Sequence, residues 1–140
     1  MSKVAVVYWS GTGNTQAMAE SVASGASEAG AEVTVFEACD FGGAKVSEFD
    51  AIAFGCPSMG AEQLEESEFE PMFTDCEAFL SGKKIALFGS YGWGDGEWMR
   101  TWEQTCLDDG AVLACDSVIC NEAPDDDAKA ACEQLGKALA

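Results

Sequence analysis

The sequence contains no histidine, and basic residues number only seven in 140. Without histidine the chain lacks the commonest proton shuttle of neutral pH and the commonest zinc ligand. Its seven cysteines are odd in number, and no two form a Cys-x-x-Cys pair. That pattern supports neither a disulfide framework nor a zinc centre, so free thiols are expected. No apolar run approaches the ~20 residues that a membrane-spanning helix requires. Met1-Ser2-Lys3 leads directly into a strand-like segment, with no apolar secretory region, and a cytoplasmic location is expected. The scarcity of lysine and arginine against 25 acidic residues gives a net charge of −18. Nucleic acid and anionic membranes are poor partners for such a surface. No basic residue occurs between Lys45 and Lys83 or between Lys84 and Arg100, whereas Glu62, Glu65, Glu66, Glu68, Glu70, Asp95 and Glu97 fall in those gaps. An acidic run of this kind reads first as a solvated face, and beside a binding site it also steers a cationic partner.

What is present is an apolar complement of 48%, enough in 140 residues for one self-sufficient core, and residues 1–140 read as a single domain. Lys3–Trp9 is a nearly continuous apolar, β-branched and aromatic run, the pattern of a strand buried on both faces of a parallel sheet. Similar runs at Glu32–Phe36, Ala51–Gly55, Lys84–Gly89 and Val112–Cys120 make five strands. Helix-period stripes lie between them: Met18, Val22, Gly25/Ala26 and Ala29; Met72, Phe73, Cys76, Phe79 and Leu80; Met99, Trp102 and Cys106; then Ala128, Ala131, Cys132, Leu135 and Leu139. Gly30, Gly82 and Gly110 stand where helices should stop. Pro71 suits a first helical turn, and Asp125–Asp127 favour the start of the last helix. Glu37–Asp50 has only weak helical character. Strand and helix in alternation give an α/β fold with right-handed crossovers, and ligands in such sheets bind at the carboxyl ends of the strands. Ser10–Thr15, Cys56–Ser67 and Ser90–Glu97 are the loops at that end.

Ser10-Gly11-Thr12-Gly13-Asn14-Thr15 follows the first strand and opens the first helix. It offers hydroxyls, an amide and a row of backbone N–H groups to a small anion, and phosphate matches that set. A Walker loop would need a Gly-Lys-Ser/Thr ending, and a dinucleotide fingerprint would need glycine where Gln16 stands. Neither is met, and no lysine or arginine lies in the loop, so dipoles and hydrogen bonds must hold the charge.

Tyr8 through Thr15 resembles the phosphate-binding signature of flavodoxins. Gly55-Cys56-Pro57-Ser58-Met59-Gly60, with Glu62 and Glu65-Glu66-Ser67-Glu68, extends the likeness, as does Leu87-Phe88-Gly89-Ser90-Tyr91-Gly92-Trp93-Gly94. The resemblance covers essentially the whole chain and is to the short-chain clostridial-type branch, with its uninterrupted last strand. It implies a doubly wound five-stranded parallel sheet of order 2-1-3-4-5 with helices on both faces. It also implies one FMN, bound non-covalently by Ser10, Gly11, Thr12, Gly13, Asn14 and Thr15, by Pro57, Ser58, Met59, Gly60, Ala61 and Glu62, and by Ser90, Tyr91, Gly92, Trp93 and Gly94. Met59 would lie against one face of the ring and Trp93 would stack on the other. The Gly60 carbonyl could accept the proton-bearing central nitrogen of the one-electron-reduced ring, and Glu62 could accept the pyrimidine N–H. Ala61 stands where relatives of this branch often carry Asp or Ser. Trp98 and Trp102 read as packing residues, and Trp9 would flank the ribityl or phosphate side.

The fully reduced flavin is an anion, and the surrounding loops carry acids without compensating bases. A unit charge at ~10 Å in an effective dielectric of ~20 costs ~1.7 kcal/mol before screening, so the second electron should enter at low potential. The expected function is a low-potential one-electron carrier, with no substrate of its own. It would act as a monomer between basic-faced redox proteins such as reductases and low-potential oxidoreductases. The alternative is a flavin-dependent NAD(P)H or quinone oxidoreductase on the same sheet, which would need room above the ring that Trp93 would fill. A receiver-type signalling module has the same strand order, but its clustered aspartates and late lysine are absent.

Overall fold

The computed structural model describes residues 2–59, 63–92 and 94–140. Strand β1 (Lys3–Tyr8) leads into helix α1 (Asn14–Glu28), β2 (Glu32–Glu37), a 3₁₀ turn (Ala38–Asp40), the one-turn helix α2 (Gly43–Val46) and β3 (Ala51–Gly55). Then follow α3 (Phe69–Glu77), β4 (Lys84–Tyr91), α4 (Glu97–Asp108), β5 (Val112–Leu113), β6 (Val118–Asn121) and α5 (Asp126–Leu139). All named strand pairs are parallel, and the sheet runs β2-β1-β3-β4-β5, with β6 also paired to β4. This is the doubly wound order expected from the sequence.

The period-2 alternation sorts each strand's side chains between two helical layers. Val4, Val6, Ala51, Ala53 and Ala86 face α1 and α5, whereas Ala5, Val7, Ile52, Phe54, Ile85 and Leu87 face α3 and α4. Phe54 is fully buried, with Phe73 edge-on at 5.1 Å between ring centroids. Burying such a side chain contributes roughly 1.5–3 kcal/mol. Trp98 and Trp102 are both buried as packing residues, and the Trp98 indole N–H donates to the Cys56 carbonyl at 3.2 Å, tying α4 to the end of β3. Asp125 caps α5, its carboxylate accepting from the Ala128 N–H at 2.8 Å. Gly30 and Gly110 adopt positive φ where α1 and α4 stop, whereas Gly82, also at positive φ, lies beyond the end of α3 in the turn that leads into β4.

The structure corrects the sequence reading in three places. The fifth strand is not continuous: β5 and β6 are separate, and Ala114–Ser117 stands opposite only Ala86 and Leu87 of β4. Two surplus residues therefore bulge out of the ladder, where the Ser117 hydroxyl donates to Glu103 of α4 at 2.6 Å. Second, β2 is an edge strand, and its Val35 is 48% exposed. Its apolar run is not covered on both faces. Third, α3 ends at Glu77, which leaves Phe79 exposed while Leu80 turns back into the core.

None of the described helices is long and apolar enough to cross a membrane. All seven cysteines are free thiols. Burial pushes those of Cys56, Cys76, Cys106 and Cys132 up to about 12.

Candidate flavin site

A cavity of about 540 Å³ opens at the carboxyl ends of β1, β3 and β4. It lies where the winding reverses between β1 and β3, the switch point at which open α/β sheets bind ligands. Its volume falls within the ~300–1,000 Å³ typical of small-molecule sites.

The anion-binding end is the entry to α1. Gly13, the residue before the helix, takes φ 95°, a conformation open to glycine at little cost. No side chain caps this helix, so its first-turn N–H groups are left to face an incoming anion. The Ser10 hydroxyl accepts the Gly13 N–H at 3.0 Å and closes the loop on itself. That bond removes the Gly13 N–H from the set expected to face a phosphate. At the base of the loop Thr15 is buried, and its hydroxyl meets that of Ser90 at 3.1 Å. This contact joins the loop after β1 to the end of β4.

The second wall is the segment after β3. Cys56 N–H donates to the Phe88 carbonyl and Ser58 N–H to the Ser90 carbonyl, so β3–β4 pairing continues to the pocket rim. Met59 and Gln63 then form a reciprocal antiparallel bridge at 2.8 and 2.9 Å. Beyond it, Glu65 is only 6% exposed. Its carboxylate accepts the N–H groups of Ser67 (2.7 Å), Glu68 (2.7 Å) and Phe69 (2.9 Å). Burial works to raise the Glu65 pKa, but the Phe69, Glu68 and Ser67 N–H groups and the Ser67 hydroxyl outweigh it and hold the pKa below the ordinary value.

Of the residues expected to bind the flavin, Gly11, Thr12, Asn14, Pro57, Ser58, Met59, Ser90, Tyr91 and Gly92 line the cavity together. Ser10, Gly13 and Thr15 belong to the same loop but are not in the lining, and Gly94 is exposed outside it. Gly60, Ala61, Glu62 and Trp93 lie outside the described residues. Trp9 lines the cavity, as the sequence suggests. Glu122 and Ala123 also line it. They follow β6, and the rule that picked the other loops applies equally to that strand's carboxyl end. The Glu122 N–H donates to the Tyr91 carbonyl at 2.7 Å.

The donor set fits FMN. Helix-start N–H groups and the Thr12 and Asn14 side chains suit a phosphate, while Trp9, Met59 and Tyr91 offer apolar surface for a planar ring. The Ser58 hydroxyl is buried without a hydrogen-bond partner among the described residues, an acceptor and donor that a polyhydroxyl chain can engage. Among the described residues no basic side chain lines the cavity, and the one carboxylate in the lining is that of Glu122.

Comparison with known proteins agrees with this geometry. The family model described as flavodoxin matches residues 6–135. The flavodoxin of Megasphaera elsdenii is 47% identical over 137 residues, covering 98% of each chain. That of Clostridium beijerinckii is 45% identical over 135 residues, covering 96% of this chain and 97% of its own. The solution structure of two-electron reduced M. elsdenii flavodoxin superposes with a TM-score of 0.90 at 48% identity, over 97% of both chains. The chain belongs to the flavodoxin family, electron-transfer proteins that bind FMN and convert no substrate of their own.

Proposed function

We propose that this chain carries electrons at low potential, gripping the FMN phosphate without any cation. The observation that carries the reading is the uncapped start of α1 opening into a cavity with no lysine or arginine in its lining among the described residues. Gly11, Thr12 and Asn14 meet the phosphate, with Ser10 and Gly13 shaping the turn and Thr15 anchoring it to Ser90. Pro57, Ser58 and Met59 take one side of the flavin; Tyr91 and Gly92 take the other. Gly60, Ala61, Glu62, Trp93 and Gly94 complete the set on the strength of the sequence motifs. When bound, FMN supplies a ring that accepts and donates electrons one at a time. The protein orients that ring and holds carboxylates near it.

Those carboxylates set the potential and the partner. Asp95, Glu97, Glu66 and Glu68 are exposed on the two loops flanking the cavity or at the helix starts that follow, and only Arg100 stands among them, paired to Asp95 at 3.0 Å. Their field opposes a second negative charge on the flavin and attracts basic-faced redox proteins. With a net charge of −18, copies of the chain repel one another, which favours a monomer.

Titrating apoprotein with FMN tests the reading. It expects quenched flavin fluorescence, one equivalent bound and two resolved one-electron steps on stepwise reduction. Unquenched FMN in excess apoprotein, or a single two-electron step, overturns it.

A further inference from the structure

Four facts about Glu65 stand together. It lies in the most acidic stretch of the sequence, yet it is one of only three buried polar or charged residues among those described. Its carboxylate accepts three consecutive backbone N–H groups at the start of α3, where the residue in the capping position provides no side-chain bond. Its own N–H points at the Cys56 sulfur at 3.4 Å, and its carbonyl accepts the Glu70 N–H at 2.8 Å. It is two residues beyond Gln63, the return partner of Met59 in the bridge at the cavity wall.

A helix cap is ordinarily a short side chain one position before the helix. Here the cap reaches from three residues further back, so the bonds that satisfy α3 also fasten the chain leaving the Met59–Gln63 bridge. We propose that Glu65 is a positioning residue for the flavin: its carboxylate locks the Gln63 side of the Met59–Gln63 bridge onto α3 and so fixes where Met59 is presented. The Met59 side is already held by the Ser58 N–H bond to Ser90. With both sides of the bridge fixed, Met59 meets the ring preorganised; without Glu65 only one side is fixed, and binding must order the other.

The proposal rests on the flavin reading of the cavity, and the test separates the two. Glu65→Gln keeps shape and one acceptor oxygen but sets an NH2 group against one of the three N–H donors. Amide exchange of Met59 and Gln63 in the apoprotein, and FMN affinity, are measured beside two controls. Glu68→Gln removes a nearby exposed charge, and Gly30→Ala strains a helix stop outside the cavity lining. Loss of a charge-assisted bond predicts about tenfold faster exchange at both amides and about tenfold weaker FMN binding in Glu65→Gln. Gly30→Ala should change neither quantity, and Glu68→Gln should leave exchange unchanged and FMN binding no weaker than wild type. Wild-type exchange and affinity in Glu65→Gln would leave it a helix cap only and overturn the proposal. An equal affinity shift in Glu68→Gln would assign the effect to charge and overturn it too. Should Glu65→Gln not hold its fold, the same readouts are taken in a Glu77→Gln background, which relieves acid crowding at the other end of α3. If wild-type apoprotein fails to bind FMN, the flavin reading is what has failed.

Discussion

Gly13→Ala isolates the backbone geometry of the anion loop. Gly13 sits at φ 95°, and a methyl group added there meets nothing within 4 Å, so the substitution introduces no clash. The perturbation is therefore purely conformational. An alanine in the left-handed region costs roughly 1–2 kcal/mol. In the apoprotein the exposed loop can relax toward negative φ and shed most of this cost. Binding FMN then has to restore the strained turn, and the Kd rises by about 5- to 30-fold. Gly30 is a matched control: its φ is 96°, a methyl group there also meets open space, and it lies outside the cavity lining. Its α1–β2 junction is held by hydrogen bonds from Gly30 to Ser27 and from Ala31 to Ala26, so the same strain is borne by folding. Gly30→Ala should lower Tm by roughly 3–8 °C and leave the FMN Kd unchanged. The assay is fluorescence titration of both apoproteins, with thermal melts alongside. Wild-type affinity in Gly13→Ala would refute the argument that a left-handed residue shapes the site.

The Thr15–Ser90 hydroxyl contact should behave as a coupled pair. Thr15→Val or Ser90→Ala alone leaves a buried hydroxyl unpaired and costs about 1–3 kcal/mol, and the double variant costs less than the sum in urea unfolding. Glu77 and Asp109 both titrate above their ordinary ranges, chiefly through burial, with Asp109 also acting on Glu77 and Asp108 on Asp109. A raised folded pKa means the stabilising proton is held below the ordinary pKa and lost as pH rises through the folded one. Glu77→Gln should therefore raise stability at pH 7, by at most about 1 kcal/mol given solvent screening, and remove part of the pH dependence just above pH 4.5. Thiol labelling of native protein should reach exposed Cys39 first, slowly because local desolvation and the neighbouring Asp40, Glu68 and Glu37 carboxylates raise its pKa. Cys56, Cys76, Cys106 and Cys132 should react only on unfolding. Prompt labelling of all seven would contradict the packing described.

Features written in local pattern were legible in the sequence. The apolar runs of β1, β3 and β4 are continuous because both faces are covered, and the Ser10–Thr15 loop declares itself by glycines and hydroxyls within six residues. Features set by partners distant in the chain were not. Val112–Cys120 looks like one strand because nothing in its composition shows that β4 offers two residues where it spends four. Glu65 is indistinguishable from the neighbouring glutamates until the backbone turns three N–H groups toward it. Glu122 was legible in principle, since the strand-end rule that picked the other loops applies equally to the end of β6, which the sequence places within one residue.

Salt dependence of FMN affinity bears most directly on the cation-free grip. Lysine or arginine holding the phosphate would make binding weaken as salt is added, since screening acts on attraction. In a chain of net charge −18, where the positive ends at the site among the described residues are dipoles, screening acts chiefly on repulsion. The FMN Kd, followed from low ionic strength to ~0.5 M sodium chloride, should fall; a Kd that rises over that range would contradict the account.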